Sequence, residues 1–391
     1  MQFIDLAQQQ KRIRANLEKR IQAVLDHGQY IMGPEVLSLE HTLGEYVGVE
    51  HALACASGTD ALLLALMAYG VGPGDVIFTT PFTFMATAEV IALLRAVPVF
   101  VDIDPVTFNM DPVQLEKAIH ALRRRDSTTH PLPEGLLGEA TEARGIMPVD
   151  LFGLPADYGP ILALAESHDL FVIEDAAQSF GGERNGKKAC GLAHIGCTSF
   201  FPAKPLGAYG DGGMCFTRDS GLQDTMLSLR IHGQGNNKYE NLRIGINGRL
   251  DTLQAAILLE KFAIFPDELE RRQEVAQRYR EMLRAGGVRV AVPEVPPGYT
   301  SAWAQYSVLA PDAQSRETFL AALRAGGIPS AIYYPTPLHL QPAYRFLGYS
   351  SGDFPVSEDC AGRIFSLPMH PYLTREQQEQ ITAVLCSVKV P

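Results

Sequence analysis

Lys204 is a lysine in an unusual sequence setting. It follows the largely apolar run Cys197–Phe201 and stands between Pro202-Ala203 and Pro205-Leu206-Gly207. Most lysines lie on a protein surface, but an amine enclosed by apolar groups loses its proton more easily, because desolvation disfavours the charged form. A neutral amine attacks an aldehyde and forms a Schiff base, so Lys204 is a candidate for covalent catalysis.

A carboxylate at the end of an apolar run is the second chemical feature. The run Leu170–Glu174 delivers Asp175, and Gln178 follows three residues later. Parallel sheets bind their ligands at the carboxyl ends of their strands, so an acid there pairs with a cationic group, a metal or a ring nitrogen. Asp also serves as a helix N-cap, and this segment alone leaves both interpretations open.

The third feature is a loop of small residues that opens a helix. The segment Ala54–Leu62 reads Ala-Cys-Ala-Ser-Gly-Thr-Asp-Ala-Leu and places Ser57, Gly58 and Thr59 at the start of the helical run. Free backbone N–H groups and the helix dipole bind anions at such a start, and the two hydroxyls add donors. A simple capped helix is the ordinary alternative.

Together these features match the three handles of pyridoxal 5'-phosphate (PLP). The loop would bind the phosphate, Asp175 would keep the ring nitrogen protonated, and Lys204 would hold the aldehyde and then move protons. The sequence therefore predicts a PLP enzyme. The glycines after Lys204, in Gly210-Asp211-Gly212-Gly213, do not form a GxGxxG fingerprint that opens a helix, which argues against an NAD-linked oxidoreductase.

The composition excludes several other classes of protein. A formal charge of −11 over 391 residues disfavours a nucleic-acid surface. The six cysteines form no CxxC pair, which predicts reduced thiols in the cytoplasm and no metal site. The sequence contains no apolar run long enough to span a membrane and no recognisable signal peptide.

The elements that must position these residues follow an alternating pattern. Between residues 52 and 217, short strand-like runs alternate with helical runs, and several strands are apolar throughout, which predicts a parallel or mixed sheet covered by helices. The predicted strands are Val76–Thr80, Val97–Ile103, Ile146–Leu151, Leu170–Asp175, Cys197–Phe201 and Met214–Thr217; the predicted helices are Gly58–Tyr69, Thr87–Leu94, Pro112–Arg123 and Pro160–His168.

Two segments fall outside this pattern. Residues 124–144 are rich in Pro, Gly and polar residues and are predicted to form an exposed loop, most simply a tolerated surface insertion. The amphipathic run Pro266–Leu283 is predicted to lead into a smaller domain. We therefore expect a large domain over residues 1–264, with an N-terminal helical segment, and a small domain over residues 265–391.

Motifs spread along nearly the whole chain resemble the DegT/DnrJ/EryC1/StrS nucleotide-sugar aminotransferases. They include Phe3–Leu6, Gly28–Val36, the segment around Lys204, and Ser366–Pro371. This resemblance implies an aspartate aminotransferase-like, fold type I PLP architecture, which has a large, mostly parallel sheet domain and a smaller α+β domain. It also implies a homodimer with active sites at the subunit interface.

The resemblance assigns a role to each matching residue. Lys204 would carry the cofactor, Asp175 would pair with the pyridine nitrogen, and Gln178 would lie near the ring oxygen. The phosphate would be held by Ser57, Gly58, Thr59 and Ser199, with Asn247 reaching the phosphate of the other subunit, and Phe84 would stack on the ring. The sugar would contact Gly28, Tyr30, Arg249, Tyr333, Tyr334 and His339, although an ordinary surface turn is as good an interpretation of His339.

The segment Phe201–Gly207, followed by Gly210–Gly213, looks like that of enzymes which aminate carbon 3 of a UDP-linked keto sugar. In the relatives that act on a 3-keto-glucuronate, a Ser precedes the lysine and a His precedes the Tyr-Pro, where this chain has Ala203 and Tyr333. Losing these two donors to a carboxylate predicts a neutral substrate, UDP-2-acetamido-2-deoxy-3-keto-glucose, unless the changes are neutral drift. The uronate and a dTDP-3-keto-6-deoxyhexose are the alternatives.

The resemblance implies L-glutamate as amino donor, with the cofactor passing through its pyridoxamine form. The product would serve lipid A or a surface polysaccharide. Two other functions share the fold: a PLP-dependent sugar dehydratase, which has His in place of the lysine, and a non-catalytic regulator. Lys204 argues against the first, and the combination of Lys204, Asp175 and the phosphate loop argues against the second.

Overall fold

The computed structural model describes residues 1–137, 141–237 and 239–389. Within them the chain forms twelve α-helices: α1 Leu6–His27, α2 Pro34–Val47, α3 Gly58–Ala68, α4 Ala86–Leu93, α5 Pro112–Arg124, α6 Tyr158–His168, α7 Ser220–Arg230, α8 Thr252–Phe262, α9 Phe265–Ala285, α10 Ala313–Ala325, α11 Pro355–Arg363 and α12 Arg375–Ser387. The same residues form twelve strands: β1 His51–Cys55, β2 Asp75–Thr79, β3 Val97–Phe100, β4 Glu142–Met147, β5 Phe171–Asp175, β6 Glu183–Arg184, β7 Lys187–Lys188, β8 Ile195–Ser199, β9 Gly213–Thr217, β10 Tyr299–Thr300, β11 Tyr306–Leu309 and β12 Ile364–Leu367.

Seven strands form one mixed, mostly parallel sheet in the order β1-β9-β8-β5-β4-β2-β3. Strand β9 is antiparallel to both of its neighbours, and the pairs from β8 to β3 are all parallel. The strands are buried on both faces because helices cover the sheet on either side, and the apolar runs of β2, β5 and β9 reflect this double burial. The prediction of a mixed sheet covered by helices is confirmed.

The pairing of β9 brings distant loops to one edge of the sheet. Gly213, the first residue of β9, pairs with Cys55 at the end of β1 and with Ser199 at the end of β8. On the other side of β8, Asp175 at the end of β5 pairs with Cys197. The loop after Cys55, the strand end at Ser199 and the acid at Asp175 therefore lie at the same edge.

The C-terminal part of the chain has its own apolar core. Strands β11 and β12 pair antiparallel, and α9, α10 and α12 pack against them. This core is rich in aromatic side chains, including Tyr279, Tyr306, Phe319 and Phe365. Helix α9 begins at Phe265, which agrees with a division after residue 264, although the division itself stays a prediction.

The structure corrects the prediction for residues 124–144. Leu132 and Leu136 are buried in the same apolar cluster as Ile119 and Ile146, and the ring of His130 lies 2.8 Å from the carbonyl oxygen of Phe100. The segment is therefore partly packed onto the main sheet and is not simply an exposed insertion. Its residues 138–140 lie outside the described residues.

The other differences are smaller. Strand β4 begins four residues before the predicted strand at Ile146 and ends at Met147, because its partner β2 pairs with it from Asp75 onward. Strand β1 was not predicted as a strand. Across the described residues, no helix has the length and apolar character needed to cross a membrane, and no group of three or more His, Cys, Asp or Glu side chains is arranged to hold a metal ion.

Candidate active site

A cavity of about 440 Å³ opens at the sheet edge where the three loops meet. It is lined by residues from both parts of the chain. These are Phe3, Ile4, Ser57, Gly58, Thr59, Leu62, Thr83, Phe84, Ala86, Thr87, Val149, Asp175, Ala177, Gln178, Ser199, Phe201, Ala203, Lys204, Asp211, Ala304, Gln305, Tyr333 and Tyr334.

Lys204 lies in this cavity on the tight turn after β8. Its backbone N–H donates to the carbonyl of Phe201, and the turn returns to the sheet where Ala208 N–H donates to the carbonyl of Phe200. The amine is surrounded by protein, and its remaining accessible surface faces the cavity. Burial lowers the pKa of Lys204, and the negative charge of Asp175 partly opposes that shift. The prediction of an enclosed amine is thus matched by the geometry.

Asp175 is held from several directions. Its backbone N–H donates to Pro148, while the N–H of Asp150 donates to its carbonyl. The hydroxyl of Thr87 donates to Oδ2 at 2.7 Å, and Ala177 N–H donates to Oδ1 at 3.2 Å. Burial raises the pKa of Asp175, and these two hydrogen bonds and the charge of Lys204 work against that rise. A cationic ring nitrogen would add a further partner of the kind that favours the carboxylate.

The start of α3 packs closely against Ser199. Ser57 is the N-cap and accepts a hydrogen bond from Asp60 N–H at 3.0 Å. A Cβ at Gly58 would come within 2.6 Å of the Cβ of Ser199, so a glycine is needed for the helix start to approach β8 this closely. Ser57, Gly58, Thr59 and Ser199 therefore surround one end of the cavity, where they fit a phosphate group.

Gln178 connects two parts of the wall. Its Oε1 accepts from Phe152 N–H at 2.7 Å, and its Nε2 donates to the hydroxyl of Tyr334 at 3.2 Å. The ring of Tyr334 also lies 6.2 Å, centroid to centroid, from the ring of Phe84, which is more than half exposed toward the cavity. Gln178, Phe84, Tyr333 and Tyr334 are thus brought together beside Lys204.

Five predicted residues lie outside this cavity, and four of them are on two segments that hydrogen bonds join. Gly28 and Tyr30 are exposed after α1, and Thr252 N–H donates to the carbonyl of Tyr30. Arg249, a few residues before Thr252, donates from Nε to Oδ1 of the exposed Asn247 at 2.9 Å. Their expected contacts with the cofactor phosphate and the sugar stay predictions, because a single chain does not bring them to Lys204.

His339 is placed differently from both interpretations of the sequence. It is buried, its Nε2 lies 3.0 Å from a carboxylate oxygen of Glu358, and its ring packs edge-on against Phe354. It therefore neither lines the cavity nor sits on a surface turn. We correct its assignment: the short helix Leu338–Leu340 uses His339 to pack against the helix that contains Glu358.

Thr87, Phe201 and Gln305 are among the cavity residues that were not predicted as site residues. Thr87 and Phe201 stand in the segments used for the prediction but carry no local signal of their own. Thr87 acts on an acid that is 88 residues away in the sequence, and only the sheet order brings the two together. Gln305 comes from the C-terminal part of the chain, next to β11.

Two further buried carboxylic acids, Asp150 and Glu174, lie next to Asp175. Asp150 accepts from Ala156 N–H, from the hydroxyl of Tyr158 and from that of Ser179, while Glu174 accepts from the N–H groups of Cys190 and Leu192. The two carboxyl groups also contact each other. Burial raises the pKa of Asp150 to about 6 and raises the pKa of Glu174 as well, so we expect the pair to share a proton in the folded state.

Comparison with known proteins agrees with this geometry. The model of the DegT/DnrJ/EryC1/StrS aminotransferase family matches residues 11–386. The chain is 46% identical over 385 residues to a UDP-2-acetamido-2-deoxy-3-oxo-D-glucuronate aminotransferase from Pseudomonas aeruginosa, covering 98% of this chain and 99% of that protein. It is 38% identical over 383 residues to a UDP-N-acetyl-3-dehydro-alpha-D-glucosamine 3-aminotransferase from Acidithiobacillus ferrooxidans, covering 98% and 96%.

A solved structure is similar over almost the same length. The crystal structure of a DegT DnrJ EryC1 StrS aminotransferase from Brucella abortus is 52% identical, with a TM-score of 0.91, and the match covers 98% of each chain. The predicted aminotransferase architecture of fold type I is therefore confirmed.

Proposed function

The chain belongs to the DegT/DnrJ/EryC1/StrS aminotransferase family and is a nucleotide-sugar aminotransferase; from that premise we propose its cofactor and substrates. The cofactor is PLP. The donor is L-glutamate, and the acceptor is the C3 ketone of UDP-2-acetamido-2-deoxy-3-keto-glucose. The observation that carries the proposal is the convergence of Lys204, Asp175 and the Ser57–Thr59 helix start on one cavity.

The residues of the cavity fit each end of PLP. The α3 start and Ser199 would bind the phosphate, Asp175 would pair with the ring nitrogen, and the amine of Lys204 would hold the aldehyde. When bound, PLP stabilises negative charge on the carbon whose amino group is transferred. The burial that lowers the pKa of Lys204 suits its Nζ to accept a proton from that carbon and return it to the neighbouring position.

The acceptor is proposed from the relatives and from the cavity wall. Both named relatives are aminotransferases of 3-oxo UDP-sugars, one a uronate and the other a glucosamine derivative. The uronate relative has the higher sequence identity to this chain. This chain departs from the uronate pattern at Ala203 and Tyr333, however, and both side chains line the cavity. Neither Ala203 nor Tyr333 can place a positive charge beside a carboxylate, which supports a sugar with a neutral carbon 6.

The positions of Arg249 and Asn247 support a homodimer with shared sites. Arg249 and Asn247 lie on an exposed segment of each chain, together with the exposed apolar side chains of Tyr239, Leu242 and Ile244. We propose that a second copy covers this surface and extends Arg249 and Asn247 into the cavity.

We further propose that the enzyme works in the cytoplasm, where its free thiols stay reduced, and that its product serves lipid A or a surface polysaccharide. The uronate and dTDP-3-keto-6-deoxyhexose stay as alternative acceptors. A sugar dehydratase of the same fold is the alternative from another reaction class, and the position of Lys204 inside the cavity argues against it.

The test has two stages. First, L-glutamate is added to the PLP-loaded protein; we expect the yellow absorbance band to fade as the pyridoxamine band grows, and a band that ignores glutamate would overturn the donor. Second, the UDP-linked 3-amino-glucose and 3-amino-glucuronate products are offered as amine sources in the reverse direction. We expect a clear preference in kcat/KM for the neutral sugar, and comparable values would remove that preference.

A further inference from the structure

Gln305 is a neutral polar side chain that lines the same cavity as Lys204. It belongs to the segment Ser301–Gln305, which enters β11, and it lines the cavity beside Ala304 and Tyr334. Its Oε1 is buried and has no hydrogen-bond partner within the described chain. An amide oxygen out of contact with water costs free energy unless a donor reaches it, so this atom needs a partner that the folded chain does not supply.

The backbone that carries Gln305 is fixed from several sides. Ala302 N–H donates to the carbonyl of Gly153, the guanidinium of Arg272 donates to the carbonyl of Trp303, and the indole of Trp303 donates to Gln273 at 2.8 Å. A Cβ at Gly153 would lie 2.6 Å from the backbone nitrogen of Trp303, so the two segments pack in direct contact. The backbone of the segment is therefore preorganised, and rotation about the side-chain bonds of Gln305 can present its amide oxygen to the cavity without moving that backbone.

From this geometry we infer that Gln305 is a specificity-determining residue, whose amide oxygen accepts a hydrogen bond from a neutral donor beside the ketone of the sugar. The inference rests on the proposed function and deepens it. The donor is either the N–H of a 2-acetamido group or a ring hydroxyl, which share this chemistry. A site built to receive a hydrogen-bond donor discriminates against analogues that lack one, because the amide would again be buried without a partner.

A small adjoining cavity offers a competing partner. It holds about 20 Å³, is also lined by Gln305, and lies against Leu151, Phe152 and Ser307. That volume is enough for one water molecule, which could satisfy Oε1 without any substrate. The experiment must therefore separate a bound water from a sugar contact.

The probe is the UDP-linked 2-acetamido-3-amino sugar, which is titrated calorimetrically into the pyridoxamine form of the enzyme. Because both the sugar and the cofactor then carry an amino group, the sugar binds but no amino transfer occurs. The variant Gln305→Met keeps the length of the side chain but removes the acceptor. We expect its dissociation constant for this sugar to rise roughly 3- to 10-fold, the usual worth of one neutral hydrogen bond. The variant Gln305→Glu keeps an acceptor and is expected to retain more of the affinity than Gln305→Met.

The matched control is Gln273→Met, which removes the acceptor of the Trp303 indole but leaves Gln305 in place. It should loosen the segment without the selective loss for the sugar. A 2-deoxy analogue of the probe, which has no donor at carbon 2, then separates the two donors: the Gln305→Met effect disappears with this analogue if the acetamido N–H is the partner, and persists if a ring hydroxyl is.

The rate of the glutamate half-reaction is measured on the same proteins. We expect it to fall less in Gln305→Met than the affinity for the sugar does, while the KM for the sugar rises more than kcat falls. Unchanged sugar affinity would overturn the inference and favour the water, and an equal loss for glutamate and sugar would overturn it as well. Failure of wild-type enzyme to react with glutamate or to bind the sugar would instead count against the proposed function.

Discussion

The hydroxyl of Thr87 donates a 2.7 Å hydrogen bond to Oδ2 of Asp175, joining the start of α4 to the end of β5. Both side chains are buried, so no water molecule competes strongly for this bond. Burial raises the pKa of Asp175 and the bond from Thr87 lowers it, so Thr87 favours the ionised form of Asp175 and orients its carboxylate toward a cationic partner.

Thr87→Val should therefore weaken the pairing of Asp175 with the cofactor ring. We expect the affinity for PLP to fall roughly 3- to 10-fold and the absorbance maximum to shift, because the carboxylate of Asp175 loses a donor that favours its ionised form and would stabilise a protonated ring nitrogen less. Fluorescence titration and absorbance spectra measure both effects. Thr79→Val is the matched control, since its hydroxyl donates to Met147 in the same sheet, away from Asp175. Equal effects in the two variants would argue against this role.

Asp175→Asn is expected to cause a larger change of the same kind. The neutral amide keeps the shape of the side chain but cannot stabilise a protonated ring nitrogen, so some PLP should still bind while most of the rate is lost. Single-turnover kinetics with L-glutamate measure the loss. A rate close to that of the wild type would show that the ring nitrogen is not paired with this residue.

Lys204→Ala should abolish the covalent retention of PLP and reduce turnover by several orders of magnitude, because no other amine lines the described cavity. Reduction with borohydride, followed by mass spectrometry of the intact protein, tests retention directly. Lys187→Ala, at an exposed position, should keep both retention and activity. Full activity in the Lys204 variant would refute the assignment of the site.

Gly58→Ala should damage the phosphate end of the cavity. The new methyl group would meet the Cβ of Ser199 at 2.6 Å, so either the start of α3 or β8 must shift. We expect a loss of PLP affinity of at least roughly 10-fold, with the chain still folded, since a core clash typically costs about 1–3 kcal/mol. Gly72→Ala meets no atom within 4 Å and serves as the control. Equal affinity in both variants would place the phosphate elsewhere.

The pair formed by Asp150 and Glu174 predicts a particular dependence of stability on pH. Because the pKa of Asp150 is raised in the folded state, to about 6, the native protein keeps a proton that the unfolded chain loses near pH 4. This contribution to stability is complete below pH 4 and disappears as the pH rises through 6. Proteins generally become more stable between acid and neutral pH, and the proton on Asp150 should make this increase smaller.

Asp150→Asn should remove that contribution. The amide can donate to Glu174 in place of the shared proton, while its oxygen still accepts from Ala156 and Tyr158. As the pH rises from 4 to 7, the free energy of unfolding of the wild type should therefore decrease relative to that of the variant. Denaturant unfolding at several pH values measures it, and parallel curves would show that the pair does not share a proton.

Sharing of the active site between two subunits predicts complementation. Lys204→Ala and Arg249→Ala each impair a different half of the proposed composite site. When the two variants are mixed and allowed to exchange subunits, one site of each hybrid dimer contains neither substitution, so activity should reappear. Sites made from a single chain would give no recovery. Arg249→Ala alone should raise the KM for the sugar more than it slows the glutamate half-reaction.

The sequence carries the features of the site that depend on local chemistry. A lysine after a buried strand, an acid at the end of another and small residues at a helix start are each visible within about ten residues, and all three line the cavity. The family resemblance added Gln178 and Tyr334, whose hydrogen bond the structure contains.

What could not be predicted depends on contacts between distant segments. Thr87 gains its role only because β2 and β5 flank β4, and Gln305 faces the cavity only because its segment packs on Gly153. His339 was misassigned because its neighbour Tyr334 lines the cavity, whereas Glu358, which fixes the histidine, comes from a later helix. Burial of Leu132 and Leu136 likewise follows from the main core and not from the polar residues around them.

The insertion of β9 between β1 and β8 also has a consequence for the order of events during synthesis. The loop at Ser57 emerges early from the ribosome, but Gly213, which pairs with both Cys55 and Ser199, emerges much later. Until then β1 has no partner in the sheet and the two halves of the phosphate site are not joined. A nascent chain should therefore acquire its affinity for the cofactor in one late step, and arrested chains that end before residue 213 should have almost none.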